Sequence, residues 1–429
     1  MWDDFCHEGK SLLSPESISK LCLSISLVFT NWVQSLPQEI IPNILIRLPI
    51  KSLIKFTSVC KSWNSTIKDP SFILTHLTHK LNINDQNATH PLLLHTVHSE
   101  GTSPKSFGRV NISGFKQDSY SLHYDNNDAG GEYCKVEFPV VLKEKLINGC
   151  FRLVGTCNGL VLLADDMGEY GYTFVIWNPS VRKYVTLPKP SVRFSTHGDY
   201  VASLGLCYDA TSNDYKVVRL TTLLDPRDKY PRTLAQVYSL VTGSWGMLST
   251  LPSCVVPHSW VQVFVNGALH WLAIHSIDGE IAYFVLAFDV ASETFGEIVL
   301  PMSFIVGFPV ELKLSVSGDR KFIALFVKFE NEGDPFVDIW VMKEFSEEKS
   351  WTILNILSLL GPKRSLTEAL CFRRSCELVL VLGDSRDLVL LDTVSGEVKL
   401  LGISGGQVCS AGSYEESLVL LDREDAASY

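Results

Sequence analysis

Apolar and polar positions along this chain follow two different rhythms. In residues 35–80 apolar side chains recur at the i, i+3/i+4 spacing of amphipathic helices, whereas from about residue 150 they form short runs broken by polar turns. The helical stretch opens at Ser35-Leu36-Pro37-Gln38, a Ser N-cap with Gln three residues on and Pro near the first turn. Ile40, Ile41, Ile44, Leu45 and Leu48 then supply the apolar positions. Pro42 would cost a helix interior one hydrogen bond and a clash, so regular helix is expected only from about Ile41. Leu48-Pro49 ends it, because a residue before proline avoids the α region. A second short helix is expected over Lys51–Phe56 and a third over Ser58–Ile67, with Val59, Cys60, Trp63 and Ile67 on one face.

The second rhythm repeats. FVIWNPSVRKYVTLP (174–188), AQVYSLVTGSWGMLSTLP (235–252), AYFVLAFDVASETFGEIVLP (282–301), FVDIWVMKEFSEEKSWTIL (336–354) and LVLLDTVSGEVKLL (388–401) each read strand, polar turn, strand. Anchored on Trp177, Tyr238, Phe288, Trp340 and Leu390, they are spaced by 61, 50, 52 and 50 residues. A period near 50 built of strands alone predicts an all-β propeller of kelch type. Further strands are expected between the hairpins: Leu160–Ala164, Gly205–Tyr208 with Lys216–Leu220, Val261–Val265 with Ala268–Ile274, Phe322–Val327 and Glu377–Leu382. Asn266-Gly267 is a type I′ turn signal joining two of them. Five blades are visible in this way. A sixth is expected from Val408–Leu421 together with strands such as Pro91–His95 and Glu137–Leu142, since closing a ring from both ends removes free edges. The polar insert Asp225–Arg232 accounts for the longer first interval.

Composition then separates the two regions further. The 429 residues carry a formal charge of −10, but residues 35–80 hold six Lys and Arg against Glu39 and Asp69, a net +4 that leaves −14 for the rest. A clustered basic face for nucleic acid is therefore absent as an organising feature, and the two regions are expected to meet different partners. Eleven scattered cysteines without Cys-x-x-Cys spacing fit reduced thiols, and with them a cytoplasmic or nuclear location. The run Leu21–Phe29 is too short to span a bilayer, and the acidic residues before it do not suit a secretion signal. The sequons at Asn64, Asn87 and Asn111 are then chance matches. His76/His79 and His95/His98 have metal-like spacing but no carboxylate or cysteine company, and are read as loop or surface histidines.

Three short helices in about 45 residues cannot bury a self-sufficient core, so the first region must pack on the remainder or present an apolar face to another protein. LPQEIIPNILIRLPIKSLIKFTSVCKSWNSTIKDPSFI resembles a plant F-box nearly end to end, with its Leu-Pro opening, Ile-Leu-x-Arg-Leu-Pro core, Lys-Ser-Leu and Val-Cys-Lys-x-Trp. The resemblance implies binding to a Skp-family adaptor, and through it to a cullin and a RING ligase. The positions it carries over are Leu36, Pro37, Ile40, Ile44, Leu45, Leu48, Pro49, Leu53, Val59, Cys60 and Trp63. The later region resembles the plant F-box-associated, kelch-like domain in GTCNGLVLL (155–163), WNPSVRKYVTLP (177–188), LGLCYDATSNDYKVVRL (204–220), VNGALHWLA (265–273) and FDVASETFGEIVLP (288–301). That likeness thins after residue 305, and the residues fall short of true kelch repeats, which carry paired glycines, so architecture is what it implies. The organisation expected is an N-terminal extension (1–34), an F-box (35–80), a linker with possible first propeller strands (81–149) and the propeller (150–425).

Chemistry adds little. No P-loop, His-Glu-x-x-His or Gly-x-Gly-x-x-Gly occurs, and no catalytic, cofactor-binding or metal-ligating residue is assigned. Asp209 and Asp214 are expected to shape a turn, and Trp177, Trp245, Trp271 and Trp340 to be blade-core aromatics. The function implied is that of a non-catalytic substrate-recognition subunit of an SCF-type ubiquitin ligase. The alternatives are an F-box scaffold or inhibitor outside a ligase and, more remotely, a propeller enzyme with convergent carboxylates. Substrate contacts are expected on loops, with Asp225–Arg232, Ser276–Glu280 and Glu330–Pro335 as candidates.

Overall fold

The computed structural model describes residues 40–87, 91–99, 115–124, 133–167, 170–224, 232–252, 254–257, 262–277, 280–301, 311–317, 321–331, 334–343, 350–357, 366–373, 376–383, 386–406 and 408–429. Among the described residues four helices come first: α1 (Ile40–Leu45), α2 (Ile50–Phe56), α3 (Lys61–Lys68) and α4 (Pro70–Asn87). Pro42 lies in the first turn of α1, where its missing N–H has no helical partner to lose. The Cys60 thiol caps α3 by accepting from the Trp63 amide, so this helix starts three residues later than its apolar pattern suggests. The sequence reading passes over α4, although Asp69-Pro70 is a start signal: Asp69 Oδ1 accepts from the Ser71 amide at 2.8 Å, and Pro70 takes the first position.

Twenty-five strands and two short helices follow among the described residues. Blade one holds β4 (Arg152–Cys157), β5 (Leu160–Ala164), β6 (Phe174–Asn178) and β7 (Lys183–Thr186). It is preceded by β1 (Leu92–Ser99), β2 (Phe115–His123), β3 (Tyr133–Val136) and α5 (Val140–Lys143). After α6 (Phe194–His197), blade two holds β8 (Tyr200–Asp209), β9 (Asp214–Leu223), β10 (Arg232–Ser239) and β11 (Ser244–Met247). Blade three holds β12 (Val263–Val265), β13 (Ala268–Ile277), β14 (Glu280–Asp289) and β15 (Thr294–Val299). Blade four holds β16 (Glu311–Val316), β17 (Ile323–Asn331), β18 (Asp334–Met342) and β19 (Trp351–Leu357). Blade five holds β20 (Leu366–Phe372), β21 (Glu377–Leu382), β22 (Asp387–Asp392) and β23 (Val398–Ser404). Blade six joins β24 (Val408–Ser413) to β1, β2 and β3, and β25 (Ala427–Ser428) adds a fifth strand to blade one.

The first strands β4, β8, β12, β16, β20 and β24 touch in sequence and return to β4, so the ring is a closed six-bladed propeller. Leu92 to Val97 pair with Ser413 to Val408, sealing the N-terminal strands to the C-terminal one. The sixth blade therefore contains the expected Leu92 region and the first part of the expected Val408–Leu421, but strand pairing stops at Ser413, and residues 414–421 leave the sheet because Asn178 of blade one takes the Ser417 and Val419 carbonyls. Glu137–Leu142 is not a strand: extended pairing stops at Val136, and Pro139, which lacks a donor, caps α5 instead. Asn158-Gly159 and Asn266-Gly267 both take positive φ at the two turn positions, as type I′ hairpins require. Trp177 and Trp271 are fully buried in blade interiors, while Trp245 and Trp340 are half-buried. Gly205 belongs to this packing, since a Cβ there would meet the Trp271 ring at 2.8 Å.

Strand direction assigns the connections to two ends of the ring. Turns between first and second strands and between third and fourth strands emerge at one end. Connections between second and third strands, and from blade to blade, emerge at the other. α4 enters β1 at the first end, and the chain leaves β24 there. This is the module end.

Candidate functional site

Packing sorts the apolar residues of the helical module into two sets. Ile41, Leu45, Ile50, Leu53, Trp63 and Ile67 are buried in one cluster, with the Phe56 ring 5.1 Å from that of Trp63. Ile40 and Ile44, one helical turn apart on the other face of α1, are each 45% exposed. Pro49 is exposed, and Leu48, Val59 and Cys60 are half-buried. Of the positions the sequence singles out for adaptor binding, Leu45, Leu53 and Trp63 thus serve the module's own core. Ile40, Ile44 and Pro49 are left open, while Leu36 and Pro37 lie outside the described residues. Arg47, Lys51, Lys55 and Lys61 are exposed as well, and residues 40–68 contain no acidic side chain. A surface of this kind, apolar knobs among uncompensated cations, suits an acidic protein partner.

The module does not float on a linker. Helix α4 buries Phe72, Ile73 and Leu77, and the cluster that holds Phe72 and Ile73 also holds Leu240, Val419 and Leu420 of the propeller's module end. A cavity of about 170 Å³ remains between them, bordered by Leu74, Leu77, Tyr208, Tyr215, Val241 and Arg423. His76 closes the module internally: with 0% exposure, its Nε2 lies 3.1 Å from the Leu48 carbonyl, tying the end of α1 to α4. Burial, reinforced by Lys80 and His79, lowers the His76 pKa, so the ring is neutral and donates from Nε2. His95 is also buried, stacked 4.6 Å from Tyr120 between β24 and β2. Both histidines are therefore core residues rather than surface ones, because distant strands and helices cover them. His79 is half-exposed and His98 exposed.

Residues 414–429 complete the seat, and the sequence carries little signal for them. Asn178, fully buried, donates from Nδ2 to the Ser417 and Val419 carbonyls at 3.0 and 2.7 Å. Lys183 Nζ donates to the Leu421 and Arg423 carbonyls at 3.1 and 2.7 Å. Arg423 grips Asp425 at 2.8 and 2.6 Å and donates from Nη1 to the Leu240 carbonyl at 2.9 Å. Trp177 Nε1 donates to the Tyr429 hydroxyl at 2.8 Å, and that hydroxyl donates to the Glu137 carbonyl at 2.9 Å. The Trp177-Asn178-Pro179 sequence thus anchors a C-terminal strap that fastens blade one and supports α4.

The acidic residues of the Asp209–Asp214 connection organise turns. Asp209 accepts from Thr211, Ser212 and Lys216, which hold its carboxyl well below the usual range despite burial. Asp214 accepts from the Ser239 hydroxyl and the Val241 amide. At the ring's centre a cavity of about 150 Å³ is lined by Thr156, Gln262, Ser317, Arg373 and Glu415 among others, and among the described residues Glu415 is the one carboxylate in that lining. Of the three loop candidates for substrate, Asp225–Arg232 lies outside the described residues except Arg232. Residues 278–279 and 332–333 of the other two also lie outside them, and the described strand ends that flank all three candidates lie at the end of the ring opposite the module.

Comparison with known proteins covers both regions. The model of the F-box domain matches residues 33–75, and that of the F-box associated beta propeller domain matches residues 131–399. An F-box/kelch-repeat protein of Arabidopsis thaliana is 29% identical over 330 residues, covering 76% of this chain and 80% of its own. The Arabidopsis thaliana F-box protein CPR1 is 27% identical over 410 residues, covering 90% of this chain and 88% of its own.

Proposed function

The chain belongs to the F-box proteins that carry an F-box-associated β-propeller domain, and from that membership we propose that it is the substrate-recognition subunit of an SCF-type ubiquitin ligase, working in the cytoplasm or nucleus. The observation that carries the proposal is the division of α1. Ile41 and Leu45 are spent on the core, while Ile40 and Ile44 stand open beside Arg47 and Pro49. Burying such a side chain at an interface contributes roughly 1.5–3 kcal/mol before association costs, which suits a Skp-family adaptor with an apolar, acidic groove.

Ubiquitin transfer then needs no reacting group on this chain. The module docks on the adaptor, the propeller holds the target, and a charged E2 elsewhere in the complex meets the target's lysines at raised effective concentration. The shared core of α4, Leu240 and the C-terminal strap supports this role, because a fixed joint keeps the target at a defined distance from the E2.

The test is co-purification of the full chain with a recombinant Skp-family adaptor and cullin. The native chain is expected to form the three-part complex, and Ile44→Asp to lose the adaptor while the propeller stays folded. Adaptor binding that survives Ile44→Asp and Ile40→Asp together would count against this face, and adaptor capture without cullin would favour a scaffold acting outside a ligase.

A further inference from the structure

The β7–β8 connection, residues 187–199, lies at the end of the ring opposite the module, and buried side chains hold it still. Arg219, 1% exposed, donates from Nη1 to the Val192 carbonyl at 2.9 Å, and Gln236, 0% exposed, donates from Nε2 to Ser191 Oγ at 2.8 Å. Trp245 Nε1 donates to the Pro188 carbonyl at 2.7 Å, and the Phe194 amide donates to the Tyr172 hydroxyl at 2.7 Å. Burying a guanidinium and an amide is unfavourable unless their bonds are made. Here Arg219 Nη1 bonds both Gln236 Oε1, at 3.1 Å, and the Val192 carbonyl, and Gln236 bonds the Ser191 hydroxyl, so the pair orders a surface segment before anything binds to it.

An aromatic surface rests on that support. Phe194, 49% exposed, stacks on Tyr170 with ring centroids 4.9 Å apart, and Tyr170 packs against Tyr200 at 4.7 Å. Rigid, partly exposed aromatics of this kind form the energetic centres of protein interfaces. The charge is equally local. The chain outside the module is strongly acidic, yet this connection carries Lys189, Arg193 and His197 against Asp199 alone, whose carboxylate accepts from the Tyr170 hydroxyl at 2.8 Å. Arg193 Nε is buried and has no hydrogen-bond partner among the described residues. Arg193 as a whole is only half-buried, and its fixed positive charge sits beside the exposed Phe194.

We propose that this aromatic and cationic shelf docks an acidic segment of the protein substrate, seating a carboxylate at Arg193 and an apolar side chain on Phe194. The proposal rests on the receptor role above. It also places the substrate at the end of the ring that the module and the strap leave free.

The experiment titrates the adaptor-bound full chain, by fluorescence anisotropy, with a labelled short Glu-rich peptide containing one Trp and with its Gln counterpart. The Glu peptide is expected to bind about tenfold more tightly, with affinity falling as salt rises. Arg193→Glu is expected to remove that preference, and Phe194→Ala to weaken binding about fivefold, with adaptor binding unchanged in both. Lys321→Glu, at the module end, leaves peptide binding at the native level. Equal affinity for the two peptides, no binding of the Glu peptide, or native affinity in Arg193→Glu overturns the shelf. Failure of the native chain to take the adaptor would instead overturn the receptor role.

Discussion

The helical module and the propeller solve the same problem in opposite ways. The propeller is closed: each first strand touches the next, the N-terminal strands pair with β24, and apolar residues such as Trp177, Trp271 and Leu325 are wholly covered. The module is open: α1 to α3 bury what they can, lean on α4 and the strap, and leave Ile40 and Ile44 at the surface. A repeating ring distributes its stability over six similar units, so no single turn decides the fold. A small helical module has no such reserve, and its missing contacts are supplied by the propeller on one side and, in the proposed complex, by the adaptor on the other. The seat between them is where either arrangement is broken most easily.

Ending the chain after Ser413 tests this most severely. It removes Tyr414, Leu418 and Leu420 from the core, strips Asn178 and Lys183 of their partners, and uncovers Phe72 and Ile73. Several buried side chains and buried donors are lost together, so a loss exceeding about 5 kcal/mol is expected. Thermal unfolding should show a lowered or absent cooperative transition, and limited proteolysis should release the module. A truncated chain that unfolds at the native temperature would mean that the strap is decoration. Next in size is a contrast within α1 itself. Leu45→Ala, at a position with 0% exposure, should cost about 2–5 kcal/mol in urea unfolding. Ile44→Asp, one residue earlier and 45% exposed, should change stability by less than about 1 kcal/mol while abolishing adaptor binding. Replacing Leu48-Pro49 by Ala-Ala separates the two effects less cleanly, because Leu48 is half-buried and its carbonyl receives His76.

How much of this could be read from the sequence depended on how local the determining contacts are. The hairpins around Trp177, Tyr238, Phe288, Trp340 and Leu390 are legible because each pairs with residues a few positions on, as Tyr238 does with Trp245. The three module helices are legible for the same reason. Helix α4 is less so, since Phe72, Ile73, Leu74, Leu77, Leu81 and Ile83 are spread around it and do not mark a single clean face. The strap is illegible: Asn178 and Ser417 are 239 residues apart, and SYEESLVLLDREDAASY has neither strand nor helix period. Burial of His76 and His95 is hidden likewise, because the residues that cover them come from elsewhere in the chain. The aromatic shelf offered one signal, the change of charge sign in KPSVRFSTH, against an acidic background.

A smaller effect, on the propeller alone, comes from pH. His270 on β13 is 1% exposed, and burial lowers its pKa to about 4, partly offset by its contact with the Val263 carbonyl. The unfolded chain takes up this proton near pH 6.5, well before the folded one does. The stability contributed by a neutral His270 is therefore full above pH 6.5 and is lost as pH falls from there to about 4, by roughly 3 kcal/mol. His270→Gln, which keeps a donor, should flatten the dependence of the urea midpoint on pH across that window. An unchanged slope would assign the acid sensitivity to other groups, His76 and His123 foremost, whose pKa values burial also lowers.

The smallest expected change bears on how evenly the ring spreads its stability. Arg182 sits in the β6–β7 turn with φ of 53°, a left-handed conformation that costs a residue with a Cβ about 1 kcal/mol. Its guanidinium lies 3.4 Å from Glu137, but both side chains are well exposed, so solvent screening leaves that pair worth about 0–1 kcal/mol. Arg182→Gly removes the pair and relieves the turn, at the expense of about 0.5–1 kcal/mol of extra chain entropy in the unfolded state. The three effects nearly cancel, and the urea midpoint should move by less than about 0.5 kcal/mol equivalent, with adaptor binding untouched. A large destabilisation would show that the Glu137 contact, next to the Tyr429 anchor, belongs to the strap rather than to an ordinary turn. The vulnerable seat would then extend from the module end of blade one to its outer edge.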